Sequence, residues 1–332
     1  MRFFLYPFSL LFQILVFFKN LCYNTKILKA YRLPCIVISV GNITTGGTGK
    51  TPFVIYLSNI LKYNYHYKVA ILSRGYGRLT KGTVLVSYGQ GPLHDWSIVG
   101  DEPYMMSKKL KEIPIAVDEN RFRGGSFLIK KYNPDIIILD DGFQHRSLYR
   151  DLDIVLLNGN DSKINYKLLP QGLLREPWKN IKRADKVFIT KNNPNQFLLK
   201  QLKENKIKFY TTKTHSKINK SNYLKEDANL NFEGTKVFLL SGIGDPKSFT
   251  KTVSELNYNI VGIKQFPDHH VFKQTAINKL IELAKTLKTD YIITTEKDWV
   301  KLDSLKLNFS FIIVDIKIEI VEKNVLKNLI NF

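Results

Sequence analysis

Short runs of branched and aromatic residues recur along the chain, at 36–40, 69–72, 83–86, 113–117, 136–139, 154–157 and 187–189, with helix-length polar or mixed segments between them. Uninterrupted apolar runs of this length are the pattern of parallel strands buried on both faces, so the first two-thirds of the chain predicts an α/β layer with helices on both sides of the sheet. The segment 211–227 is Lys/Asn-rich with little apolar periodicity and predicts a link. Beyond it, strand patterns at 237–240, 260–264, 291–295 and 309–314 alternate with helix patterns at 247–256 and 273–287, a smaller second α/β unit. The expected organisation is an N-terminal helix over 1–30, a main unit over 31–212 and a C-terminal unit over 213–332 that includes the link. No internal repeat is visible.

The N-terminal segment has its own pattern. Residues 3–18 carry no charge and are flanked by Arg2 and by Lys19, Lys26, Lys29 and Arg32. Sixteen residues rise only about 24 Å as a helix, short of the roughly 30 Å hydrocarbon core. Arg2, Tyr6, Ser9, Gln13 and Asn20 fall on one narrow face at helical spacing. The pattern predicts an amphipathic helix lying in a membrane interface, polar groups toward the protein or the headgroups. No small-residue cleavage site follows, against a signal peptide. A buried core helix is the alternative, and the basic flank favours an anchor on the cytoplasmic face.

Directly after the run 36–40 comes GNITTGGTGKTP (41–52). A glycine-rich turn between a buried strand and a helix leaves backbone N–H groups free to converge on phosphate. Thr44, Thr45, Gly46, Gly47, Thr48 and Gly49 form the candidate cradle, with Lys50 placed for the β/γ-phosphates and Thr51 for Mg²⁺. Thr44 stands where the general phosphate loop has its first glycine, and Gly46 and Gly47 supply the permissive backbone instead. Partition-type membrane ATPases would carry a signature Lys at 45, which is Thr here.

Composition narrows the classes. The chain has 332 residues, 44% hydrophobic and 12% aromatic, ample for real cores. Its net charge of +21 is spread along the chain, without the clustered Lys/Arg and interleaved aromatics of a nucleic-acid-binding face. Such a charge still favours anionic surfaces and phosphorylated ligands. Cys22 and Cys35 are the only cysteines and suggest neither a disulfide framework nor a zinc site.

Three places carry further chemistry. The run 136–139 ends in Asp140-Asp141, the acidic strand end expected beside a phosphate loop; Asp140 continues the strand and Asp141 begins the turn, so the two are not equivalent as Mg²⁺ ligands. Asp101, in GDEP (100–103), is both a natural helix cap and a candidate base. In FPDHH (266–270), His269 or His270 paired with a carboxylate makes a tunable base, while a turn-and-cap role for Asp268 is equally natural. Arg74, Arg121 and Arg175 stand in turn-like contexts suited to phosphate.

These motifs, together with LSRGYGR (72–78), DENR (118–121), DDGFQHR (140–146), LLPQGLLREP (168–177) and TTEKD (294–298), occur in an order that closely resembles the lipid A 4′-kinases, or tetraacyldisaccharide 4′-kinases, of Gram-negative bacteria. The resemblance covers nearly the whole chain, and Thr44 is typical of that family. It implies ATP-dependent phosphorylation of the 4′-hydroxyl of a tetraacylated glucosamine disaccharide 1-phosphate, giving lipid IVA. Asp101 would be the base, assisted by His269 or His270 with His269 preferred; Lys50, Thr51 and the Asp140/Asp141 pair would hold ATP and Mg²⁺. Arg175 and Glu176 would line the same cleft, Glu176 toward the metal, and Arg74, Arg121 and Arg175 would contact substrate or phosphate. The implied setting is the cytoplasmic face of the inner membrane, with the lipid substrate as partner, no nucleic acid and no obligatory protein partner.

Overall fold

The computed structural model describes residues 2–191, 194–220, 234–322 and residue 325. In chain order the elements are α1 (Tyr6–Asn24), β1 (Ile36–Asn42), α2 (Lys50–Asn59), β2 (Val69–Ser73), β3 (Val84–Ser87), α3 (Trp96–Val99), α4 (Asp101–Lys109), β4 (Ile115–Val117), α5 (Arg121–Tyr132), β5 (Ile136–Asp140) and β6 (Leu152–Asn158). They continue with β7 (Lys186–Thr190), α6 (Gln196–Glu204), β8 (Phe209–Lys220), β9 (Lys236–Ser241), α7 (Pro246–Glu255), β10 (Asn259–Gln265), α8 (Gln274–Thr286), β11 (Tyr291–Thr295), α9 (Glu296–Leu302) and β12 (Phe311–Ile320).

The strands form one sheet in the order β10-β9-β11-β12-β8-β7-β6-β1-β5-β2-β4-β3. All neighbours run parallel except β3 with β4 and β12 with β8. The expected parallel α/β layer is therefore present, and the run at 83–86 departs from it only as an antiparallel edge strand.

Alternation explains why the strand sequences read as continuous apolar runs. In β5, Ile136 and Ile138 pack with Phe53, Val54 and Leu57 of α2, while Ile137 and Leu139 pack on the opposite face with Leu128 of α5. The C-terminal part repeats the arrangement: α8 places Ile277, Leu280 and Ile281 against Phe238, Leu240 and Ile292, and α7 places Phe249 and Val253 against Val237, Leu239 and Ile293.

The segment expected to be a link is, over 211–220, the greater part of strand β8; residues 221–227 lie outside the described residues. β8 pairs in parallel with β7 (Phe188↔Tyr210) and antiparallel with β12 (Ile318↔Thr214, Ile320↔Thr212). Its threonines are polar in composition but β-branched, which favours extended backbone, and Thr212 is buried. β12 in turn lends Ile318 and Ile320 to the core beneath α2.

Helix α1 spans nineteen residues, about 28 Å. Ser9 is buried, its Oγ donating to Leu168 O (3.2 Å) and accepting from Gln171 N (3.1 Å). Toward the other end Arg146 and Arg183 donate to Asn20 Oδ1 (3.1 and 2.9 Å), and Arg146 also to Asn24 Oδ1 (2.8 Å). Ser9 and Asn20 thus face the protein as the pattern predicts, whereas Tyr6 and Gln13 are exposed. Among the described residues it is the single helix long and apolar enough to cross a membrane.

Candidate active site

The glycine-rich loop leaves β1 and enters α2 along the C-terminal edge of the parallel strands, where open α/β sheets collect ligands. Asn42 Nδ2 donates to Thr48 Oγ1 (3.0 Å) and Thr190 Oγ1 to Thr48 O (2.8 Å), so neighbouring strands strap the loop in place. Gly49 caps α2 at φ +77°, and a Cβ there would lie 2.9 Å from Ile318 Cδ1. The loop after β9 lies against it from the C-terminal part: a Cβ on Gly244 would stand 3.2 Å from Gly47 N. Residues 45–51 line a cleft of about 750 Å³.

Thr44 does not line that cleft. It is buried and bridges to Leu174, and Thr45 N donates to Leu173 O (2.7 Å). The loop therefore begins as a short strand pair, which threonine suits as well as glycine. This corrects the placement of Thr44 in the phosphate cradle.

Asp140 and Asp141 both line the cleft. Strict alternation would have separated them, but Asp141 adopts φ +55°, the left-handed conformation, and turns back toward the loop. Lys50 Nζ lies 3.6 Å from Asp141 Oδ1, and Arg175 donates to both Asp141 oxygens (3.0 and 2.8 Å). Burial opposes the Asp141 charge, yet Lys50 and Arg175 outweigh it and hold its pKa at about 2. Asp140 has the reverse balance: burial, then the nearby Glu102 and Asp141 charges, push it up to about 7. Ser73 Oγ donates to its Oδ2 (2.9 Å), and its buried Oδ1 has no hydrogen-bond partner among the described residues.

Across the same cleft stands a second group of charges. His269 Nδ1 lies 2.9 Å from Asp101 Oδ2 and 3.1 Å from Oδ1. Asp101 also accepts from Glu102 N (2.9 Å), so the local helix-start role and the imidazole contact coexist. Lys301 Nζ lies 3.5 Å from Asp101 Oδ2, and Lys297 Nζ reaches Glu102, Asp268 and His269. Burial works against the Asp101 charge, but the His269 hydrogen bond and the lysines lower its pKa to about 2. Asp268 accepts from His269 N (3.0 Å), the turn role, while His269 at φ +59° projects toward Asp101.

Three further sequence expectations are corrected. His270 stacks on Phe266 (4.4 Å between ring centroids) and meets Phe272 edge-on, with the Lys301 and Asp298 charges near it, and among the described residues it makes no hydrogen bond to Asp101. Arg121 is 2% exposed and lies behind β5, donating to Asp118 O and to Asp140 O, so it props the acidic strand end from inside instead of entering the cleft. Glu176 is also buried: Arg183 donates to both its oxygens (2.8 Å each), and Gln144 and Asn180 donate as well, leaving no free face for a metal. Arg74 and Arg175 do line the cleft.

Glu102, Ser73, Lys297 and Lys301 were not singled out by the sequence. GDEP and TTEKD contain two of the four and LSRGYGR a third, but nothing in spacing shows that α4 and α9 meet.

A phosphate loop on a parallel sheet, an acidic strand end beside it and a carboxylate–imidazole pair across one cleft define a P-loop phosphotransferase. The family model for tetraacyldisaccharide-1-P 4'-kinase matches residues 1–331. The tetraacyldisaccharide 4'-kinase of Aquifex aeolicus (strain VF5) is 37% identical over 338 residues, 98% of this chain and 97% of that protein. That of Halothermothrix orenii is 36% identical, covering 88% of this chain and 80% of the relative. A crystal structure of LpxK from Aquifex aeolicus in complex with ATP superposes with a TM-score of 0.74 and 34% identity, over 99% of this chain and 98% of that one. The chain belongs to the tetraacyldisaccharide-1-P 4'-kinase family.

Proposed function

We propose that this protein transfers the γ-phosphoryl group of ATP to the 4′-hydroxyl of tetraacyldisaccharide 1-phosphate, giving lipid IVA. The observation that carries the reading is that loop residues 45–51 and the Asp101–His269 pair line one cleft, so a phosphoryl donor and a proton acceptor face the same volume. The 4′-oxygen bonds to the γ-phosphorus, the bond from that phosphorus to the ADP oxygen breaks, and the hydroxyl proton passes to Asp101. Lys50 offsets charge on the transferred group, and Arg74 and Arg175 attract phosphate. With its pKa held at about 2, Asp101 carries no proton of its own near neutral pH.

The donors beside the loop suit Mg²⁺. Thr51 supplies a hydroxyl and Asp140 a buried carboxylate oxygen without a partner, with Asp141 adjacent. Among the described residues no group of three or more His, Cys, Asp or Glu side chains forms a complete cage, so water and phosphate oxygens would complete the shell, the usual habit of Mg²⁺. When bound, Mg²⁺ supplies charge stabilisation to the phosphate oxygens.

The same reading sets α1 on the cytoplasmic face of the inner membrane. Phe8, Leu11, Leu15 and Phe18 are exposed on it, while Phe12 lines the cleft, so an amphiphile held beside the helix brings its head to the site. Division near residue 212 into a kinase unit and a smaller unit that close on substrate belongs to this reading too: Asp101 comes from the first and His269 from the second.

The test is transfer of labelled γ-phosphate from ATP to tetraacyldisaccharide 1-phosphate in detergent by wild type and Asp101→Ala. The expected result is a 4′-phosphorylated lipid whose formation falls on the order of a hundredfold or more in the variant. Label found only as free phosphate, equally with both proteins, would discard the kinase reading in favour of a membrane ATPase.

A further inference from the structure

Lys297, near the start of α9, makes three polar contacts that together fix the chemical form of His269. Its Nζ lies 2.8 Å from Glu102 Oε1, 3.0 Å from Asp268 Oδ1 and 3.1 Å from His269 Nε2. An ammonium has three protons and no lone pair, so all three contacts are donations and His269 Nε2 must accept. Lys297 remains charged: burial opposes the charge, but Glu102, Asp101 and Asp268 together raise its pKa above the ordinary lysine value. With the Nε2 lone pair engaged, the ring proton resides on Nδ1, which faces the Asp101 carboxylate. Protonating the ring fully would set two cations 3.1 Å apart.

We propose that Lys297 is a positioning residue that holds His269 as the neutral Nδ1–H tautomer, so that His269 donates to Asp101 and has no lone pair with which to take the substrate proton itself. The consequence for the reaction rests on Asp101 being the base; the tautomer does not. The groups facing the imidazole are Asp101 from α4, Lys297 from α9, Asp268 from its own turn (Oδ2 3.8 Å from Nε2) and the Tyr76 ring at 4.9 Å from the loop after β2. Lys301 acts on it through Asp101, and Glu102 through Lys297. None of the four direct neighbours except Lys297 offers Nε2 a charged donor.

The experiment is ¹⁵N NMR of histidine side chains in the full-length protein in detergent, with His269 assigned by the signal lost in His269→Gln. In wild type near neutral pH, His269 is expected with Nδ1 protonated and Nε2 bare. In Lys297→Met the cation that makes Nε2 an acceptor is gone while Asp101 remains, so an Nε2–H signal is expected to appear at the same pH. Turnover should fall on the order of tenfold to a hundredfold with KM for ATP little changed. Lys297→Arg, which keeps a cationic donor, should restore most of the rate and the bare Nε2. An Nε2–H signal for His269 in wild type would overturn the proposal without recourse to any variant, as would identical His269 ¹⁵N spectra in wild type and Lys297→Met. Full turnover in Asp101→Ala would overturn the assignment of the base instead, and would leave the tautomer measurement standing.

Discussion

Lys301 and Asp101 form an ion pair between α9 and α4, Nζ to Oδ2 3.5 Å, with the lysine side chain 1% and the aspartate 5% exposed. The same ammonium lies 3.5 Å from Asp298 Oδ1, and Asp298 Oδ2 accepts from Gly242 N and Thr295 Oγ1. One buried cation therefore serves two buried carboxylates, one on α4 and one on its own helix. Removing one partner of such a group leaves an uncompensated charge in a poorly solvated place, and Lys301→Met should cost about 3–5 kcal/mol. Adding Asp298→Asn should recover part of the loss, because one of the two stranded charges is gone. Urea denaturation of the single and double variants measures both; equal midpoints for wild type and Lys301→Met would show the pair to be unimportant to stability.

Acid sensitivity follows from the same carboxylate. The folded pKa of Asp101, about 2, lies below its ordinary 3.8, because its favourable partners outweigh burial. The native state thus binds fewer protons than the unfolded chain in that window, and the associated stability is complete above 3.8 and is lost as pH falls toward 2. Its size is on the order of 2 kcal/mol. The stability gap between wild type and Asp101→Asn, followed by urea midpoints from about pH 6 downward, should narrow with acid. A gap independent of pH would assign the loss to packing.

Gly49→Ala tests the phosphate loop through its backbone. The position combines φ +77° with a Cβ site 2.9 Å from Ile318 Cδ1, so an alanine meets both an unfavourable conformation and a neighbour on β12. A strain of about 1–3 kcal/mol is expected. Because the loop N–H groups must also converge on phosphate, ATP affinity should weaken beyond the change in Tm. Calorimetric titration with ATP and a thermal melt separate the two, and unchanged affinity would show that the loop accommodates the methyl group without moving its donors.

The strands, the phosphate loop and the acidic strand end were legible because each is local. Ile136 to Asp140 reads as a buried strand from five consecutive residues, and the loop from a dozen. What stayed hidden depends on distant partners. β8 was missed because Thr211, Thr212 and Thr214 count as polar, although β-branched side chains fit a sheet between β7 and β12. Arg121 read as a site residue from its turn-like context and Glu176 from the resemblance; both are buried here, Arg121 donating to Asp118 O and Asp140 O and Arg183 filling the Glu176 carboxylate. The choice between His269 and His270 turned on a left-handed residue in the turn, which a two-residue motif does not disclose.

Helix α1 offers the last test, because its two faces do different things. Ser9 is 6% exposed and hydrogen-bonded to the 168–171 segment, whereas Phe8, Leu11 and Leu15 are 62%, 56% and 61% exposed. Water solvates three such side chains poorly, and burying each in an apolar phase contributes about 1.5–3 kcal/mol. If that face rests in lipid, Phe8→Asp, Leu11→Asp and Leu15→Asp combined should reduce co-sedimentation with anionic phospholipid vesicles by on the order of a hundredfold or more. The melting temperature in detergent-free buffer should hold or rise, since the replaced side chains contact solvent in the folded protein. Asn20→Ala acts on the other face: it removes the acceptor shared by Arg146 and Arg183 and should lower the melting temperature while leaving vesicle binding largely intact. Wild-type vesicle binding in the triple variant would mean that the exposed face of α1 is not what holds the protein to lipid.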